Sequence, residues 1–266
     1  MGSAQPWLGY MPPFKLWGNL YFVGTGPAST HIIDTGDGLI MLDSGYQHSL
    51  YLVLQNMHSV GLDPMDIRYI VHTHGHIDHC GATRALVEMT GAKTFLGEAD
   101  RDYVNGTLDL SWAKELDVHL EVFEPDVLLR DGDRISLGNT TLKAVATPGH
   151  TPGAMSYLFE VYSGSRTLTA GLHGGAGTNS MTREFLDRYG LSYDCRKDFF
   201  ASMDRLKELP VDIYLGNHAN QNQTKEKYQK LLAGDENAFV DKDGWREFAE
   251  SCKKKLADLI AKESEA

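Results

Sequence analysis

Four side chains able to bind a metal, His74, His76, Asp78 and His79, crowd into Thr73-His74-Gly75-His76-Ile77-Asp78-His79-Cys80-Gly81. In extended or loop backbone, residues two apart project to the same side, so His74 and His76 can reach one ion while Asp78 and His79 turn toward another. Gly75 and Gly81 relieve steric limits on that bend. Imidazole with carboxylate is a donor set for Zn²⁺, with Fe or Mn second on donor type alone. A single histidine is more often a packed or surface residue than a ligand, but four donors in one cluster reverse that expectation. His31, His48, His58, His72 and His119 stand isolated and are read as structural, His72 completing a buried strand.

Two more histidines sit in loop contexts of their own. In Thr147-Pro148-Gly149-His150-Thr151-Pro152-Gly153 the prolines stiffen the chain on both sides of one imidazole. His218, in Leu215-Gly216-Asn217-His218, ends a short apolar run. His79, His150 and His218 are separated by nearly equal lengths of chain, as a sheet edge gathering ligands requires.

The elements that must position these groups are legible as pattern. Lys15–Val23, Ser29–Asp34 and Leu39–Leu42 read as strands, the last two joined by the turn Thr35-Gly36-Asp37-Gly38. Helices over Gln47–Val60 and Ala82–Met89 alternate with strands over Tyr69–Thr73 and Lys93–Leu96. Val118–Thr147 reads as strands broken at Arg130–Asp133 and Leu137–Asn139, continued by Ala154–Val161 and Arg166–Ala170. Helices over Phe199–Leu209 and Thr224–Leu232 flank a strand at Asp212–Leu215, and Gly244–Lys262 is an amphipathic helix. The class is α/β with two sheets. Gly171–Gly177 reads as a loop beside a site, and Gly24-Thr25-Gly26 lacks both the third glycine and the following helix of a dinucleotide fingerprint.

The 266 residues carry a net charge of −11, which excludes the phosphate-neutralising surface of a nucleic-acid or anionic-membrane binder. The expected partner is a small-molecule substrate, with oligomeric state left open. No run approaches a membrane span. One domain over 1–266 is the simplest organisation, with 1–14 as an N-terminal extension and 244–266 as the C-terminal helix. Three scattered cysteines, Cys80, Cys195 and Cys252, favour a reducing compartment, so the cytoplasm is expected; a cleaved leader would instead place the chain in the periplasm or outside the cell.

The H-x-H-x-D-H segment at His74–His79, Pro148–Gly153 around His150, and the strand-end His218 together resemble the metallo-β-lactamase superfamily over essentially the whole chain. The resemblance implies a four-layer αββα sandwich with the metal site at the edge between two mixed sheets. It further implies two Zn²⁺, one on His74, His76 and His150 and one on Asp78, His79 and His218. Asp43, in Leu42-Asp43-Ser44-Gly45, matches the family's supporting aspartate. Many members carry a bridging aspartate after a strand, where this chain reads Thr169-Ala170-Gly171-Leu172-His173-Gly174. Without that carboxylate, or the cysteine of first-subclass enzymes, the pattern is most similar to the third subclass of class B β-lactamases, although Leu172 and Gly174 stand where that subclass usually has serines. His173 is an open position: a metal ligand, a substrate contact or an ordinary loop histidine.

The expected activity is zinc-dependent hydrolysis of a small cyclic amide or ester by a metal-bound hydroxide, with Asp78 as the catalytic carboxylate that orients the water. Lactone or thioester hydrolysis is the alternative within the superfamily, and a non-catalytic zinc-binding module the alternative outside enzyme chemistry.

Overall fold

The computed structural model describes residues 5–265, so the first four residues of the expected 1–14 extension and the last of the 244–266 helix lie outside the described residues. The first sheet has the order β1 (Phe14–Trp17), β2 (Leu20–Phe22), β3 (His31–Asp34), β4 (Leu39–Leu42), β5 (Ile67–Val71), β6 (Lys93–Gly97) and β7 (Val127–Leu129). Its first four strands are antiparallel and its last four parallel. Parallel neighbours need crossovers. These are supplied by α1 (Leu50–Ser59), by α2 (Ile77–Cys80) with α3 (Thr83–Thr90), and by the long segment holding α4 (Arg101–Val104).

The second sheet runs β12 (Ile213–Leu215), β11 (Arg166–Leu172), β10 (Met155–Ser163), β9 (Thr140–Ala146) and β8 (Arg134–Leu137), antiparallel except for the β11–β12 pair. Outside it lie α5 (Arg183–Tyr189), α6 (Asp194–Leu206), α7 (Thr224–Leu232) and α8 (Gly244–Glu265).

Burial explains the layering. One core joins the two sheets face to face, with Leu20, Phe22, Ile40 and Val71 meeting Leu142, Tyr157, Phe159 and Ile213. A second packs Val53, Met57 and Leu86 of α1 and α3 on Ile32, Met41 and Ile70, and a third packs Phe199, Met203, Trp245 and Leu256 of α6 and α8 beneath Tyr214. Sheets buried on both faces read as near-continuous apolar runs, as β4 does. The result is the αββα sandwich. Among the described residues no helix is long and apolar enough to cross a membrane.

Three local readings need correction. The run 15–23 is a hairpin, because Gly18 takes φ +54 and reverses the chain between β1 and β2. Residues 118–126 form no strand; their alternating pattern instead covers α4, where Phe123 packs beside Leu96, Tyr103 and Val104. The short α4 and α5 escape a search for long helical periodicity.

Candidate metal centre

The donors gather at one edge of both sheets, beyond the carboxyl ends of β5, β9 and β12. After β5 the chain bends through a short loop to His76, itself extended at φ −77 and ψ 150, then enters the single turn α2. That change of conformation separates His74 and His76 from Asp78 and His79. Ligand atoms of His74, His76 and His150 lie within 4.8 Å of one another, and so do those of His74, Asp78 and His79. His218 stands beside the second group, its Nε2 3.7 Å from Asp78 Oδ2 and its ring 5.1 Å from that of His79. All six expected donors are therefore brought together.

The proton arrangement can be worked out from the partners. Asp43 Oδ2 accepts from Thr73 Oγ1 at 2.8 Å and from His79 Nδ1 at 2.8 Å, while its Oδ1 accepts the Thr73 N–H at 2.7 Å. With its own proton given to Asp43, Thr73 Oγ1 accepts from His74 Nδ1 at 3.0 Å. His150 Nδ1 donates to Gly177 O at 2.7 Å, and His218 Nδ1 to Pro27 O at 2.5 Å. In all four histidines Nδ1 carries a proton, which leaves Nε2 of His74, His150 and His218 as a lone pair facing the site.

These lone pairs have no proton to share. His74 Nε2 and His150 Nε2 face each other at 3.2 Å, while His79 Nε2 faces Asp78 Oδ2 at 3.2 Å. Such an arrangement fits a cation. Burial, followed by neighbouring imidazoles, holds His74 well below the ordinary histidine range, and burial brings His150 down to about 4. Burial and His150 act the same way on His76. At His79 burial opposes the proton, but Asp78 and Asp43 outweigh it and raise the group to about 10. Asp78 is held below the usual carboxylate range; burial works against ionisation, and His79 overcomes it.

The supporting groups are mostly invisible to sequence reading. Asp43 occupies the left-handed region at φ 56, which aspartate tolerates better than most residues and which aims its carboxylate back at Thr73 and His79. Asp100, buried after β6, ties two ligand loops together: it accepts Gly75 N–H at 2.9 Å, Thr151 Oγ1 at 2.6 Å and Gly153 N–H at 2.7 Å. Burial pushes it up to about 6 against those three donors. The glycine-rich loop after β11 wraps His150, and a Cβ on Gly175, at φ +156, would stand 2.4 Å from its ring.

His173 requires a correction. It is wholly buried, so it offers no surface to a substrate. Its Nε2 bonds Gln221 Oε1 at 2.9 Å, and the same oxygen accepts the His218 N–H at 3.0 Å, so His173 braces the turn that presents His218. Burial lowers its pKa to about 3, keeping it neutral.

Two cavities flank the donors. A cleft of about 800 Å³ adjoins His218, walled by Tyr10, Tyr46, Phe248, Lys225 and Lys255. A smaller cavity of about 260 Å³ adjoins His76 and His150.

The chain belongs to the metallo-beta-lactamase superfamily, whose family model matches residues 23–163. Among solved structures it is similar to native FEZ-1 metallo-beta-lactamase from Legionella gormanii, at 27% identity and TM-score 0.88 over 96% of this chain and 98% of that one. Similarity to BJP-1, a subclass B3 metallo-beta-lactamase of Bradyrhizobium japonicum, is at 27% identity and TM-score 0.87 over 99% and 98%. Hydroxyacylglutathione hydrolase of Anaeromyxobacter dehalogenans is 30% identical over 154 residues, 55% of this chain and 50% of that protein. The chain spans only 39% and 61% of the first curated relatives it matches, uncharacterized proteins of Aquifex aeolicus and Bacillus subtilis.

Proposed function

We propose that the chain hydrolyses a small cyclic amide or ester with two zinc ions, one held by His74, His76 and His150 and the other by Asp78, His79 and His218. The observation that carries this reading is the convergence of unprotonated Nε2 atoms, two of them 3.2 Å apart with no proton between them. Zinc bound there supplies Lewis acidity, polarising a scissile carbonyl and bringing water's pKa down to about 7.

The chain's own groups do the rest. Asp78, kept ionised beside His79, orients the attacking water and takes its proton. Asp43 holds His79 in the tautomer that presents Nε2, and Asp100 keeps the His74–His76 loop in register with the His150 loop. The open cleft beside His218 has room for a small molecule, and Lys225 and Lys255 in its wall suit an anionic substituent.

β-Lactam hydrolysis is favoured over lactone or thioester hydrolysis, since the strand end Gly171-Leu172 lacks the bridging carboxylate usual in enzymes of the two latter kinds. A panel of chromogenic cephalosporin, acyl lactone and thioester with zinc-loaded protein tests this. Turnover of a cyclic substrate should disappear on chelation and return with zinc. Zinc binding without turnover of any of the three would leave a non-catalytic module, and undiminished turnover in metal-free protein would remove the metal from the chemistry.

A further inference from the structure

The smaller cavity is a different environment from the open cleft. Its inner end is formed by His76 and His150, and its walls are the apolar side chains Leu110, Phe185, Leu186 and Leu191. The wall and the donors form one packed unit, because Trp112 stacks flat on Phe185 at 5.3 Å and stands edge-on to His76 at 6.3 Å. Trp112 does so from the left-handed region, φ 65, a costly conformation for so bulky a residue. The backbone beside it is fixed by the bond from Ile77 N–H to Ser111 O at 2.8 Å, so this wall is tied to the donor loop itself.

We propose that this cavity binds an uncharged apolar arm of the substrate, while the remainder of the molecule occupies the larger open cleft beside His218. The inference rests on the hydrolase reading and specifies its substrate as one with two unlike halves joined at the donors. Three features of the cavity support that assignment. A group in it abuts His76 and His150 directly, so an arm held there leaves the bond next to it at the centre. With about 30 Å³ per water-sized group as a guide, 260 Å³ takes a linear chain of roughly six to eight carbons or one substituted ring. Asp194 and Asp198, which also border the cavity, repel a second carboxylate, so the arm ends without negative charge.

Burial of each methylene should raise kcat/KM about three- to fourfold, which compounds to about 10²-fold between a two-carbon and a six-carbon acyl group. The first measurement is therefore hydrolysis of p-nitrophenyl acetate, butanoate, hexanoate and octanoate by the zinc-loaded protein, where kcat/KM should climb through the series to octanoate, whose seven-carbon tail fits the cavity. Cys195→Phe fills the cavity and should erase the climb.

A second measurement needs neither turnover nor a folded variant. Cys195 borders the cavity and is half-buried, whereas Cys80 and Cys252 are wholly buried, so a small maleimide should alkylate Cys195 first. Hexanoate should slow that alkylation severalfold and acetate, with the same carboxylate and no tail, should leave it unchanged. Equal alkylation rates in hexanoate and acetate overturn the proposal, as does a flat ester series in a protein that hydrolyses all four. If hexanoate protects Cys195 but no ester, lactone or lactam is turned over, the cavity assignment stands and the hydrolytic reading fails.

Discussion

Asp43→Asn alters the centre without touching a donor. Asparagine is at home in the left-handed region, so the backbone at φ 56 should be kept and only the acceptor pattern changes. The amide oxygen can take the place of Oδ1 and accept the Thr73 N–H, which puts the amide NH₂ where Oδ2 receives Thr73 Oγ1 and His79 Nδ1, both at 2.8 Å. His79 can avoid a donor–donor clash only by giving up its Nδ1 proton and keeping the one on Nε2, the atom that should hold the metal. Two bonds to a buried carboxylate are lost, each worth about 1.5–3 kcal/mol, so the metal-free variant should be about 3 kcal/mol or more less stable. At about 2–4 °C per kcal/mol for a chain of this size, its melting temperature should fall by about 6–12 °C. Groups that fix ligand tautomers typically control about 10- to 100-fold in metal affinity, and here that loss should fall on the ion at His79. Calorimetric zinc titration together with thermal unfolding reads both effects. If the variant binds two zinc ions as tightly as the parent and melts within about 2 °C of it, the proton arrangement deduced for the site is wrong.

The other expectations concern single residues. Asp78→Asn, assayed zinc-saturated, should lose about 10²- to 10⁴-fold in kcat, and near-parental turnover would remove Asp78 from the proton transfer. Zinc titration of the parent should show two unequal steps, the weaker belonging to the site whose third donor sits on the braced His218 turn. His218→Ala should abolish that step, and Gln221→Ala, which frees the His218 N–H, should weaken it about 10-fold while sparing the other; loss of both steps together would refute the assignment. His31 is buried and held down to about 4, so the unfolded chain takes up a proton there that the folded chain refuses. Its contribution to stability is therefore present above about 6.5 and is lost as pH falls toward 4, at about 1.4 kcal/mol per pH unit. Denaturant titrations across that range should show a shallower slope in His31→Leu, and an unchanged slope would contradict a neutral buried His31.

What could be read from sequence was whatever is local. The donors His74 to His79 share one segment, and β4, β10 and the helix over Gly244–Glu265 announce themselves by apolar period. Their supports lie far away in the chain: Asp100 is a lone acid until folding sets it between Gly75 and Gly153, and Gln221 is one of several polar residues in a turn until His173 arrives beneath it. His173 was open to a role at the substrate because a histidine in a glycine-rich loop carries no sign of which way it points. Burial against Phe248, with ring centroids 4.6 Å apart, turns it inward. Residues 118–126 misled for the opposite reason, since alternation arises wherever one side of an extended segment is covered, whether or not a neighbouring strand is present.

The donors are divided between the two halves of the molecule: His74, His76, Asp78 and His79 follow a strand of the first sheet, whereas His150 and His218 follow strands of the second. A bound ion is thus a rivet through the seam where the sheets meet. Ligand binding that requires the folded arrangement adds RT ln(1 + [L]/Kd) to stability, about 2.7 kcal/mol for each ion at a free concentration 100 times its Kd. On the proposed two-zinc reading, zinc supply would govern how long the molecule survives as well as how fast it works, because a chain starved of metal would lose its proposed catalytic centre and the fastening of its two halves in the same event.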